Sequence, residues 1–165
     1  MPAKANEMPA KDGVKLDKSI YQRRETYIYI IMEYALIGVV LATGPVLPSN
    51  PILIFIEVIA IWHLLWVLWT NIVSKFNPSY RPKQKTRLIA KGPYQFIRHP
   101  FSTAVLLITF ALVINHLTIL RLIILLLLLA TIIFRVRYEE KVFSQYFSDF
   151  PIYKQKTCRL IPFVF

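Results

Sequence analysis

Two apolar runs, Tyr27 to Leu47 and Ile52 to Val73, lie in a stretch from Tyr27 to Ser74 that carries no lysine or arginine. Two more, Phe101 to Ile114 and Leu117 to Phe134, follow a basic segment. A helix rises about 1.5 Å per residue, so a run of about 20 residues matches roughly 30 Å of bilayer hydrocarbon. The expected fold class is all-α, a polytopic membrane helical bundle with about four transmembrane helices. A hydrophobic content of 56% and a mean hydropathy of +0.49 are too apolar for an ordinary soluble domain of 165 residues.

Charge placement sets the expected topology. The segment from Lys75 to Arg98 holds seven basic residues (Lys75, Arg81, Lys83, Lys85, Arg87, Lys91, Arg98) and no acidic one, which by the positive-inside rule faces the cytoplasm. The turns Gly44 to Pro51 and Asn115-His116 lack lysine and arginine, so they belong on the translocated side, and both termini fall in the cytoplasm. Residues 1–24 are polar, contain no signal-like apolar stretch, and are expected to be a disordered cytoplasmic tail, with one membrane domain over 25–165. The location is an integral membrane, multi-pass: a bacterial inner membrane, or the endoplasmic reticulum in a eukaryote. The net charge of +11 would suit nucleic acid in a soluble protein, but here the basic residues alternate with apolar runs, and no nucleic-acid partner is expected. The single cysteine, Cys158, excludes an intrachain disulfide and a cysteine-rich metal site, and no metal is expected.

The basic segment ends in LIAKGPYQFIRHPFS, Leu88 to Ser102. Gly92-Pro93 demands a turn, and Pro100 suits the first turn of a helix. Tyr94, Arg98 and His99 are then gathered at a helix N-terminus, where unpaired N–H groups and a forked guanidinium favour an anionic group. Phe101 to Ile114 is short for a full crossing, which implies a small tilt or a start below the headgroups. After Phe134 the chain reads RVRYEEKVFSQYFSDF, with Phe143, Tyr146, Phe147 and Phe150 at helical spacing, an expected extension of the last helix with aromatic anchors at headgroup level. Arg135 and Glu139 share a helical face, Glu140 follows, and the hairpin brings this cluster level with Arg98 and His99. A self-neutralising interfacial salt-bridge cluster and a functional site both fit that spacing.

KGPYQFIRHPFS, RVRYEEKVF and YKQKTCRLIP, in this order around an apolar hairpin, resemble the isoprenylcysteine carboxyl methyltransferase and phospholipid methyltransferase superfamily over roughly Thr86 to Pro162. The resemblance implies a membrane-embedded transmethylase domain that uses S-adenosylmethionine, held at the cytoplasmic face, with a lipid or prenylated acceptor arriving from the bilayer. It implies that Arg87, Leu88, Ile89 and Tyr94 line the cofactor, that His99, Pro100 and Ser102 hold it from the third span, and that Glu139 and Glu140 contact it from the fourth. Arg98 supplies a cationic partner for the cofactor carboxylate. Arg135 matches the position that faces the acceptor and is the candidate catalytic residue. Ser102 stands where the family usually has Tyr, and Ala104 where Gly is frequent.

The expected activity is methylation of a prenylated cysteine carboxylate or a similar amphiphile, with phospholipid N-methylation as the alternative within the class and a non-catalytic membrane scaffold outside it. Among the other intramembrane polar residues, Glu57 is a better functional candidate than Glu33, which lies near the cytoplasmic end and could reach the interface. The Trp62, Trp66, Trp69 stripe and His63 read as packing, and His116 as a solvated turn residue.

Overall fold

The computed structural model describes residues 7–8, 24–73 and 88–160, with the side chains of 7, 8, 24–26, 88, 89 and 146 left aside. Among these residues the chain is helical apart from one two-residue strand pair. Its helices are α1 (Arg24–Ala42), α2 (Pro51–Val73), α3 (Pro100–Asn115), α4 (Ile119–Tyr146) and α5 (Phe150–Lys156), with a 3₁₀ turn at Gly92–Gln95. Strand β1 (Glu7–Met8) pairs antiparallel with β2 (Leu88–Ile89), Glu7 opposite Ile89. Glu7 and Met8, within the expected tail, pair with the backbone of the basic loop; the rest of residues 1–23 lies outside the described residues, as do Arg87 and most of the Lys75–Arg98 segment.

Local chemistry places the helix ends. Asn50 Oδ1 accepts from the Ile52 amide at 2.8 Å ahead of Pro51, and Thr118 Oγ1 accepts from the Arg121 amide at 3.3 Å, which supplies partners to N–H groups that the first turn leaves open. The C-terminus of α1 is closed by another helix: Arg121 donates to the Val40 carbonyl at 3.1 Å and to the His116 carbonyl at 3.0 Å, and is itself buried. The first helix thus stops at Ala42, just ahead of the expected turn from Gly44, since Gly44 and Pro45 open that turn.

α2 packs chiefly on α3 and the 3₁₀ turn, and α1 chiefly on α4, so the two helices joined by the first turn lean on different partners. The uncharged turns meet at one end, where the Ser49 amide donates to Asn115 Oδ1 at 3.1 Å. Three apolar layers follow along α4: Val40, Leu112, Val113 and Ile124; then Leu128, Ile132, Val136 and Leu160; then Val142, Phe147, Phe150 and Tyr153. Phe147 and Phe150, expected as headgroup anchors, are 2% and 1% exposed. α4 ends at Tyr146 with Phe147 as its cap, and α5 begins at Phe150-Pro151; both rings pack against Phe143, at 6.1 and 5.8 Å between ring centres. By contrast, Trp62 and Trp69 point outward, 62% and 67% exposed.

α2 and the Ile119–Gln145 part of α4 are long and apolar enough to cross a membrane, whereas Tyr27–Ala42 of α1 and the 16-residue α3 are shorter apolar helices.

Candidate functional site

Gly92 carries a φ of +61°, and a Cβ there would lie 2.6 Å from Thr70 Oγ1 of α2. Only glycine lets the loop take that left-handed turn hard against α2. The turn delivers Tyr94, whose hydroxyl donates to Asn71 Oδ1 at 3.0 Å, and Tyr153 of α5 donates to the Tyr94 carbonyl at 2.6 Å. Burial pushes the phenol pKa of both tyrosines up, furthest for Tyr153, so both stay neutral donors at physiological pH.

The chain beyond Lys156 runs back beside the Arg98-His99 loop. The Arg98 amide donates to the Cys158 carbonyl at 2.8 Å, the His99 amide to the Arg159 carbonyl at 3.2 Å, and the Cys158 amide to the Phe96 carbonyl at 2.9 Å. Thr103 Oγ1 reaches the Leu160 carbonyl at 2.7 Å. This tail completes the hydrogen bonds of the loop, because a backbone entering a helix at His99-Pro100 leaves donors that need partners.

Two groups of charges result. In the outer one Glu140 takes hydrogen bonds from Arg98 Nε at 2.7 Å and Arg159 Nη2 at 2.8 Å, while Arg98 Nη1 also donates to the carbonyls of Thr157 and Lys154. In the inner one Arg135 donates from Nε to Glu33 Oε1 at 2.7 Å, from Nη2 to Glu33 Oε2 at 3.1 Å and to Ser102 Oγ at 3.0 Å, and from Nη1 to Glu139 Oε1 at 3.0 Å. His99 bridges the groups, with Nδ1 3.4 Å from Glu139 Oε2 and Nε2 3.8 Å from Glu140 Oε1. Glu33, His99, Ser102, Arg135, Glu139 and Glu140 are all buried.

These residues edge a cavity of about 380 Å³, within the roughly 300–1,000 Å³ usual for small-molecule sites. Tyr94, Arg98, His99, Pro100, Ser102, Arg135 and Glu139 line it; Glu140 stands behind, holding Arg98. Ile30, Tyr34, Ile37, Leu68, Phe101 and Val105 are apolar or aromatic members of the lining, and Tyr34 and Phe101 are also exposed on the outer surface. The structure therefore brings the expected residues of the two hairpin arms together with Tyr94. Leu88 and Ile89 are described only as a strand backbone.

Glu33 overturns an expectation. It was set aside as a residue that could reach the interface, yet it is 8% exposed and grips Arg135 at two points. A buried guanidinium needs a carboxylate, and a lone acid inside an apolar run was the signal for one. Glu57, expected as the better candidate, does not line the cavity. His63 donates from Nε2 to the Pro100 carbonyl at 3.2 Å, which fixes the start of α3 rather than entering the site. Ala104 is fully buried, so the small residue still permits close packing of α3.

A family model described as phospholipid methyltransferase matches residues 51–149, more than half of the chain. No curated protein and no solved structure matches.

Proposed function

The chain belongs to the phospholipid methyltransferase family, and from that premise we propose that it is a membrane enzyme that methylates the head group of a lipid-like acceptor with S-adenosylmethionine as donor. The cavity carries this reading, because its lining combines charged and hydroxyl side chains fit for the donor with apolar and aromatic ones fit for a lipid chain. When bound, the donor supplies an electrophilic methyl group on a sulfonium. The residues present fit it: carboxylates and aromatic rings suit its two cationic centres, and the buried His99 Nε2 has no hydrogen-bond partner in the protein. Tyr94, His99, Pro100, Ser102 and Glu139 would hold it, with Arg98 near its carboxylate and Glu140 keeping Arg98 in place.

The acceptor is argued from Arg135. Its nitrogens already serve Glu33, Glu139 and Ser102, so a prenylcysteine carboxylate would have to share them with two standing carboxylates. A phospholipid amine meets the reverse situation: Glu139, on the cavity wall, can accept its hydrogen bond and take the proton that it must lose before attack. We therefore place the amine ahead of the carboxylate. The prenylcysteine reading keeps the support of the RHPFS and RVRYEE motifs. Aligning the acceptor atom with the methyl group accounts for most of the rate in either case.

Four helices crossing the bilayer, with the basic segment and both termini in the cytoplasm, put this cavity at the cytoplasmic leaflet, where the donor is dissolved and the acceptor is embedded. The test offers methyl-labelled donor to the protein in vesicles containing phosphatidylethanolamine and, separately, in vesicles without amine lipid that carry a farnesylated cysteine derivative. Label in the phospholipid is expected. Label in the farnesyl derivative alone would move the assignment to the carboxylate, and label in neither would overturn the enzyme reading.

A further inference from the structure

We propose that Glu33 is a positioning residue of this site, holding Arg135 in one orientation on the cavity wall; in its catalytic meaning the proposal rests on the methyltransferase reading above. α1 lies outside the matched segment 51–149, so nothing in the family match assigns it a part. Yet Ile30, Glu33, Tyr34 and Ile37 all line the cavity, and their spacing is that of one helical face. α1 is thus a wall of the site, with one charged residue in an otherwise apolar or aromatic stripe.

The geometry says what that charge does. Glu139 is four residues from Arg135 on the same helix and takes Nη1 at 3.0 Å. A hydrogen bond at one terminal nitrogen does not by itself set the plane of the fork. Glu33 comes from another helix, 102 residues away in sequence, and takes Nε and Nη2 together at 2.7 and 3.1 Å. This parallel pair fixes the plane of the fork as well as its position. Nη2 then reaches Ser102 Oγ at 3.0 Å, which ties α1, α3 and α4 at one point of the wall.

The test uses the full chain in lipid nanodiscs and the variants Glu33→Gln, which keeps the shape, and Glu33→Asp, which keeps the charge but shortens the reach. Kinetics come first, with the acceptor that the vesicle assay identifies. Glu33→Gln is expected to raise the acceptor KM at least about tenfold while the donor dissociation constant, from calorimetry, stays within about twofold. In a cycle with Arg135→Lys, the double variant is expected to lose no more than Arg135→Lys alone, since both changes spoil one orientation. Additive losses, an unchanged acceptor KM, or a parallel fall in donor affinity would overturn the proposal.

A second readout needs no activity. Phenylglyoxal modification of Arg135, followed by mass spectrometry, is expected to be several-fold faster in Glu33→Gln than in the wild type, while Arg121, buried at the far end, stays unreactive as a control for folding. Equal rates at Arg135 would sink the proposal. If Arg121 becomes reactive in Glu33→Gln, the same comparison is made on Glu33→Asp. A wild type that transfers methyl to neither acceptor would end the enzyme reading, and the Arg135 modification rate would still decide whether Glu33 holds it.

Discussion

A methyl group added at Gly92 or at Gly38 meets opposite surroundings. At Gly92 the backbone has a φ of +61° and Thr70 Oγ1 would be 2.6 Å away, whereas Gly38 in α1 has nothing within 4 Å. Left-handed backbone costs other residues roughly 1–2 kcal/mol, and glycine in a helix interior costs up to about 1 kcal/mol relative to alanine. Thermal melts are expected to show Gly92→Ala destabilised by at least the first amount and Gly38→Ala stabilised by up to the second. Glu139 is judged by binding instead: loss of a charge-assisted hydrogen bond costs about 1.5–3 kcal/mol, so Glu139→Gln should weaken the donor about ten- to a hundredfold in calorimetry. Unchanged affinity would remove Glu139 from the donor site. Tyr153 gives a pH dependence. Burial raises its folded-state pKa above the unfolded value of about 10, so its contribution to stability is complete below that pH and declines as pH rises beyond it. Tyr153→Phe removes one titrating group, and the loss of melting temperature between pH 9 and 11 is expected to be shallower than in the wild type.

At the scale of elements, the site depends on a segment with little secondary structure of its own. The chain from Thr157 to Leu160 accepts hydrogen bonds from Arg98, His99 and Thr103, while Arg159 reaches Glu140. Cutting one of these ties should loosen the strap before it unfolds any helix, because the helices keep their own backbone bonds. Thr103→Val leaves the buried Leu160 carbonyl short of a donor, at about 1–3 kcal/mol. Trypsin cleavage after Arg159 is expected to rise several-fold in that variant with helical circular dichroism unchanged; cleavage at the wild-type rate would show the strap to be held by its other contacts. α1 has the complementary dependence at its other end, where Arg121 of α4 binds the Val40 carbonyl. The first helix is thus pinned to α4 twice, by Arg121 and by Arg135, and both pins are arginines from the partner helix.

For the whole molecule the expected outcome is a single orientation in the bilayer. A membrane-impermeant maleimide added outside sealed cells should label Ser49→Cys, in the exposed turn, and spare the native Cys158 beside the Arg98 loop. Labelling of Cys158 with Ser49→Cys protected would reverse the topology. Hydropathy and charge were enough to determine the helical class, the hairpin and its turn, the gathering of the Arg98-His99 end with Arg135, Glu139 and Glu140, and the turn at Gly92-Pro93. Each is set by local physics: apolar length against a slab of hydrocarbon, helical spacing, or backbone angles open to glycine and proline. Pairings between distant segments were not legible in this way. α1 is apolar on most of its circumference, so its sequence does not say which side faces α4, and Glu33 could be assigned to Arg135 only once packing had set the rotation of both helices. The tail was equally silent, since backbone hydrogen bonds between Cys158 and the Arg98 loop depend on where the chain runs and not on which side chains it carries. The sequence by itself determined the kinds of elements and the residues that place charge within or beside the apolar runs; tertiary structure alone decided which charge meets which, because rotation and register of nearly uniform apolar helices are set by packing across the bundle.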